Sequence, residues 1–347
     1  MLRPHTNRNP YTRPAPRRGA ALLLAMLILV LVATFTGAMV WQQNRSLQIE
    51  AAERARGQAA WILSGALDWA RLILREDARS TPASSGARGV DSLDEPWNTP
   101  LAESRLSTFL AVDKDNNAED QGPEAFLSGD IVDAQSRWNL RNLFDPAGKE
   151  VPSQRAVLAR LCAQANVSAD VAQRIVEQLR GAWGPVAASP GDAVANPMLP
   201  PSRLADLAWM GIEQAVLDRL EPWVDVLPVT TTVNVNTAPR EVLVAVIEGL
   251  DLGSAERLLR ARQSKPFASV DQFKAELPEG LLKDPSRISV GSGWFHVFGR
   301  LRLEERVLEE RSLLERRGND VLVARRERIS LDAAMSGPLA ATTQRRQ

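Results

Sequence analysis

The longest apolar stretch of the chain runs from Ala20 to Trp41, 22 residues without a charge. At 1.5 Å per residue it makes roughly 33 Å of helix, enough for a hydrocarbon core of about 30 Å. A secretory apolar region is shorter, about 7–15 residues, and ends in a small-residue cleavage site that TGAMVW does not match. The stretch therefore reads as a spanning helix. Past Trp41 the pattern changes without a break. No proline follows until Pro82, and Ile49, Ala52, Ala59, Ile62, Leu63, Ala66, Leu67, Ala70, Ile73 and Leu74 recur mostly at three- to four-residue spacing. One helix is expected over about residues 20–78, apolar all round at first and amphipathic afterwards. RSTPASSGARG, a cluster of helix breakers, ends it.

The Pro-rich segment VDSLDEPWNTPLAESRLSTFL then reads as a packed loop. In EAFLSGDIVDAQSRWNLRNLF the period drops to two. Phe126, Ser128, Asp130 and Val132 alternate with Leu127, Gly129 and Ile131, which predicts a strand, and SRWNLRNL predicts a second or its continuation. Asn139 and Asn142 are expected to bond local backbone. Residues 151–224 return to helical spacing, with helices starting at Ser caps in SQRAVLARLCAQANV and SADVAQRIVEQLRGAW. Two short helices are expected in SRLADLAWMGIEQAVLDRLEPWV. In TTVNVNTAPREVLVAVIEGLDLGSAERLLRARQSKPFASVDQF a short strand leads to a cap at Asn236 or Thr237. A helix, a Gly-rich turn and a second helix follow. This reads as a helix-hairpin-helix unit, with LADLAWMGIEQAVLDRL as a weaker copy. After Pro285 alternation resumes. Phe295, Val297, Gly299, Leu301 and Leu303 share one face, and Gly-Asn in RRGNDVL marks a hairpin turn. Three antiparallel strands are expected to complete the sheet against the long helix, followed by a disordered tail.

Charge changes this picture at one end only. Lys+Arg and Asp+Glu are both 42, so no bulk field points to nucleic acid. Yet residues 1–19 hold Arg3, Arg8, Arg13, Arg17 and Arg18 and no acid, which keeps that end cytoplasmic. The single cysteine, Cys162, excludes an internal disulfide and sits at core spacing with Leu158 and Leu161. His5 and His296 are too far apart in sequence to suggest a His/Cys metal site. No GxSxG, HExxH or Walker loop is present, so the sequence offers no enzyme chemistry. The scattered tryptophans read as core or interface anchors.

Two stretches carry candidate ligands. In DKDNNAEDQGPE the residues Asp113, Asp115, Asn117 and Glu124 fall at positions one, three, five and twelve of an EF-hand loop, so calcium is the one cofactor considered. Ala118 and Asp120 stand where that loop wants Gly and an apolar residue, which favours a solvated acidic loop. Helix hairpins often bind DNA through turn amides, and a membrane-anchored DNA-binding protein of the competence type is the alternative reading. Here the turn is GLDLG, with Asp251 near the phosphate position and no Lys or Arg between Arg240 and Arg257. Nucleic acid is therefore not an expected partner.

A basic leader ending in Gly19, an uncharged run and an amphipathic extension of the same helix resemble the type IV pilin and pseudopilin class. The resemblance implies prepilin peptidase cleavage between Gly19 and Ala20, with methylation of the new amine. The chain departs from most members in starting with Ala20 and in carrying Leu24 where the class has Glu. A carboxylate inside a bilayer costs about 2.5–3.5 kcal/mol and is kept where a neighbouring subunit's amine can meet it. A filament-tip subunit has no such neighbour, so Leu24 points to the K-type minor pseudopilins of type II secretion. GDIVDAQSRWNLRNL and VNVNTAP resemble stretches of that family, in the same order.

The resemblance implies an α+β fold, a pilin-like N-terminal helix on an antiparallel sheet with an inserted all-helical domain. In that arrangement residues 1–19 are the leader, 20–41 the membrane span and 42–150 the first part of a periplasmic core. Residues 151–285 form the insertion, 286–332 the closing strands and 333–347 the tail. Implied partners are the I-type and J-type minor pseudopilins, the prepilin peptidase, other type II secretion components and the inner membrane. Some members of the family hold calcium.

Overall fold

The computed structural model describes residues 18–80, 89–106, 125–184, 198–303 and 306–332. Two compact units divide the chain, residues 1–60 and 61–347. Helix α1 (Arg18–Ser80) contributes to both. In the first unit every described side chain from Ala21 to Glu50 is exposed. The two hydroxyls within the apolar stretch donate to the helix's own carbonyls, Thr34 to Leu31 at 2.9 Å and Thr36 to Val32 at 2.7 Å. Both hydroxyls are thus satisfied within the helix, as surrounding hydrocarbon would require. Past the apolar stretch, Arg54–Glu50 and Arg56–Glu53 pairs lie along an exposed face, as water-facing helices commonly arrange.

The second unit is built on a five-stranded antiparallel sheet. Its strands are β1 (Leu101–Arg105), β2 (Ala125–Asp133), β7 (Trp294–Leu303), β8 (Arg306–Arg317) and β9 (Asp320–Asp332), in the order β1-β2-β7-β8-β9. Alternation sends Ile131, Phe295, Val297 and Leu314 to one face. There they pack with Trp97 and Val321 against Leu67, Ala70 and Leu74 of α1. The face read from the sequence, Phe295 to Leu303, is the helix-facing one. Gly318, at φ +58°, opens the two-residue turn between β8 and β9, and Arg317 pairs with Asp320 across it. β1 is an edge strand where only a loop was expected. Its pattern, half-buried and exposed positions without a clean alternation, hides it in the sequence.

Between β2 and β7 the chain leaves the sheet and builds a separate helical core. Its elements are β3 (Trp138–Asn139), α2 (Pro152–Gln164), α3 (Ala169–Trp183), α4 (Gln214–Leu220), β4 (Val224–Asp225), β5 (Val233–Asn234), α5 (Arg240–Val246), α6 (Leu252–Ser264), α7 (Val270–Ala275) and β6 (Ile288–Ser289). β3 pairs with β4 and β5 with β6, both in parallel. The core takes in Trp138, Leu140, Leu143 and Phe144, ahead of the expected boundary at 151. Ala134, Leu227, Trp294 and Leu313 form a small cluster where it meets the sheet's other face.

Several local expectations fail for clear reasons. SRWNLRNL is not a full strand: only Trp138 and Asn139 pair, and Leu140–Leu143 turn into a 3-10 helix capped by Asn139. Helix α2 starts at Pro152, with Val151 rather than a serine before it, because proline is suited to the first helical position. Ser168 does precede α3, but its hydroxyl donates to Asp170 instead of capping a backbone amide. Helix α5 starts after Pro239, since Asn236 and Thr237 are engaged elsewhere.

Candidate functional site

The membrane-facing candidates lie at the start of α1. Gly19 and Ala20 fall in its first turn. Leu24 is 60% exposed, and no titratable side chain lies between Ala21 and Trp41. This helix is long and apolar enough to cross a membrane. A surface of that size, apolar all round, needs an apolar solvent or helical partners.

In the second unit the polar residues of VNVNTAP and GDIVDAQ meet at one buried joint between the sheet and the helical insertion. Asp133, the last residue of β2, accepts from Thr237 at 2.5 Å, Ser292 at 2.6 Å, Asn234 at 3.1 Å and the Gln135 amide at 2.7 Å. Gln135 in turn donates to the Thr232 carbonyl and accepts from the Gly293 amide. Burial pushes the Asp133 carboxyl up to about 6, against the pull of its hydroxyl donors. Asn236 copies a strand partner for Phe267, accepting from its amide at 2.9 Å and donating to its carbonyl at 3.0 Å. Arg262, buried under the same segment, donates to the Val235 and Ala238 carbonyls. Burial lowers it to about 10, so it stays charged.

The two asparagines of WNLRN reach further than local backbone. Asn139 caps Arg141, but it also accepts from the Leu227 amide at 3.1 Å and donates to the Val229 carbonyl at 2.7 Å. Asn142 brackets Thr231, bonding both its amide and its carbonyl. Together they hold the segment that leads into β5. Replacing Asn139 with alanine strands the buried Leu227 amide and is expected to cost about 2 kcal/mol. Urea unfolding of the full chain measures it, and a loss within experimental error would remove this role.

A second cluster joins the end of α1 to the sheet. Arg316 of β8 donates to Asp77 of α1 at 2.8 Å, to both Asp91 oxygens at 2.5 and 2.6 Å and to the Ser292 carbonyl. Asp91 also accepts from the Ser292 amide, and Glu95 accepts from the Trp97 indole. Burial raises Asp77, with the Asp91 charge adding to it. Burial likewise lifts Glu95 to about 7. Oxygens of Asp77, Asp91 and Glu95 lie within 4.8 Å of one another, a spacing that could hold a cation, and the Arg316 guanidinium already brings one. Nothing in the sequence announced this group, because its members are separated by up to 239 positions. The same holds for His296, whose Nε2 meets Asp225 at 2.5 Å. Against the desolvation that opposes it, His296 and Arg137 hold Asp225 down to about 2.

Asp113, Asp115, Asn117 and Glu124 lie outside the described residues. The hairpin motif forms two helices, α5 and α6, joined through Gly249 at φ +87°. Asp251 caps α6, accepting from the Ser254 amide and hydroxyl. A carboxylate thus stands at the turn where a DNA phosphate would approach.

The model of the family described as type II secretion system, protein K, matches residues 233–290, the segment from β5 to just past β6. A type II secretion system protein K of Klebsiella pneumoniae is 30% identical over 283 residues, covering 75% of this chain and 79% of that protein. The corresponding protein of Pseudomonas aeruginosa is 26% identical over 306 residues, 84% of this chain and 86% of that one. Among solved structures, a chain of the GspK-GspI-GspJ complex from the type 2 secretion system of enterotoxigenic Escherichia coli superimposes with a TM-score of 0.57. It is 20% identical, and the match covers 80% of this chain and 98% of that one.

Proposed function

Because the chain belongs to the type II secretion system protein K family, we propose that it is a minor pseudopilin that caps and initiates a pseudopilus. One observation carries the reading. The uncharged surface of α1 from Ala21 to Trp41 is continuous with a helix whose last turns are built into the core of the head. In this reading α1 anchors the chain in the inner membrane and the second unit lies in the periplasm. Prepilin peptidase cuts between Gly19 and Ala20, and the new amine is methylated. Leu24 leaves the span without the carboxylate that a following subunit would pair with a neighbour's amine, as suits the first subunit. I-type and J-type minor pseudopilins are the proposed partners, in line with the complex in which the structural relative was solved. The work is assembly: helices packed in the membrane seed a filament that moves folded proteins out across the outer membrane.

The test is the N-terminus of the membrane-extracted chain, read by mass spectrometry with prepilin peptidase present and absent. The expected result is a chain beginning at N-methylated Ala20 only when the peptidase is present. An intact leader in both samples would make α1 a plain anchor and sink the proposal.

A further inference from the structure

Between α1 and the sheet lies a hollow that neither the membrane span nor the polar joints account for. Its floor is a pair of glycines: Gly129 of β2 and Gly299 of β7 stand directly opposite each other. Both are on the helix-facing side, where a side chain would normally be buried. Glycine inside a strand costs about 0.5–1 kcal/mol, and it often marks a place where a ligand or another backbone comes close. The helix does come close at one of them, since a Cβ on Gly299 would lie 3.3 Å from Leu63. The rest of the space is not filled. A volume of about 220 Å³ remains, walled by apolar residues of α1 and the sheet, including Ala66, Leu67, Ala70 and Ile131. Trp97 lines it, and Trp69, 52% exposed, stands at its edge. An apolar cavity of about 150 Å³ is enough to take a benzene ring.

Thr99, Ser128, Asp130, Glu310 and Ser312 are the polar residues of its lining, and the last stands apart. Ser312 of β8 lines the hollow and is 2% exposed, and its hydroxyl has no hydrogen-bond partner among the described residues. A buried hydroxyl left unpaired is costly, and folded chains rarely retain one without a use or a water. Glu310 also lines the hollow, but its carboxylate is taken by Arg326 at 2.6 Å and Arg328 at 2.7 Å. An apolar chamber the size of one ring, edged by two indoles and carrying one unanswered hydroxyl, is complementary to an aromatic ring with a hydroxyl of its own.

We propose that this hollow binds a phenolic group, with its ring over Gly129 and Gly299 and its hydroxyl bonded to Ser312. A free phenol and a tyrosine side chain of another polypeptide present the same chemistry.

The test uses the full chain in lipid nanodiscs, with empty nanodiscs as the partition control. Binding of 4-fluorophenol and fluorobenzene is followed by fluorine NMR. Saturable binding of 4-fluorophenol is expected, about ten-fold tighter than fluorobenzene. Ser312→Ala should erase that preference and leave fluorobenzene unchanged. Ala66→Phe should fill the chamber and weaken both ligands about ten-fold or more. Should Ala66→Phe fail to fold, judged by circular dichroism, Ser312→Ala decides alone. N-acetyl-tyrosinamide separates the two sources. Affinity matching 4-fluorophenol supports a tyrosine from a polypeptide, and its exclusion supports a small phenol. No saturable binding above empty nanodiscs up to roughly 10 mM, or an unchanged preference in Ser312→Ala, overturns the proposal.

Discussion

Replacing Arg316 with leucine is expected to destabilise the head by about 3–5 kcal/mol, the usual cost of breaking a buried ion pair by removing one partner. The side chain is almost wholly enclosed, as are those of Asp77 and Asp91, which it bridges. Without the guanidinium those two carboxylates, with the half-buried Glu95 beside them, face one another in a site that water only partly reaches. Leucine also gives up the stacking of the guanidinium over Phe295, 4.9 Å from the ring centre. Urea unfolding of the full chain, read by tryptophan fluorescence, measures the loss. A second substitution, Asp91→Asn, should return part of it by removing one of the stranded charges. If Arg316→Leu costs less than about 1 kcal/mol, the cluster is wetter than its burial implies. The attachment of α1 to the sheet would then rest on its apolar contacts and on the bond from Arg71 to the Val321 carbonyl.

Stability should also fall as the pH rises from about 4 to about 6, and Asp133 should be a main cause. Its carboxyl lies at about 6 in the folded chain against an ordinary 3.8. Between those values the folded chain keeps a proton that the unfolded chain has released. The contribution is therefore full below pH 3.8 and is lost as pH rises through 6. The gap between those two values corresponds to roughly 3 kcal/mol. Glu95, lifted to about 7, acts with the same sign over a window starting from 4.5. Asp225, held near 2, acts with the opposite sign, and its contribution is lost only as pH falls below the usual carboxylate range. The Asp133→Asn variant isolates the first effect. Unfolding free energies of the two proteins, taken at intervals from pH 4 to 7, should converge toward high pH. Parallel curves would mean that the four donors around Asp133 outweigh its burial.

Much of the fold was readable because its signals are local. The apolar run that opens α1 needs only length and composition, and the heptad-like recurrence through Leu74 needs only period. The strands β7 to β9 alternate for most of their length, and Gly318 with Asn319 gives their turn away. Where reading failed, a distant partner had overruled a local preference. Asn236 and Thr237 look like helix caps, yet Phe267 and Asp133 claim them. Trp138 and Leu140 alternate as in a strand, yet both are drawn into the helical core. The polar joint around Asp133 was half visible, because its asparagines stood out in two motifs. What they bond could not be read from spacing. Asp77, Asp91 and Arg316 gave no sign, since each alone is an ordinary surface residue type.

The route of the chain has a consequence for how the protein comes to be folded. Asp133 ends β2 and pairs with Phe295, so the strands on either side of the helical insertion are immediate neighbours. Everything from 134 to 293 is spliced into what would otherwise be a single hairpin. Closing so long a loop from an unfolded chain is entropically unfavourable and slow. If the insertion folds first, its own parallel pairings bring residues 138 and 288 into one compact body, and the effective loop becomes short. The order of events is then imposed by topology. The helical body forms first, and the sheet closes last. Until it does, Leu67, Ala70 and Leu74 have no sheet to cover them, and the head is most open to proteases and to aggregation in that interval.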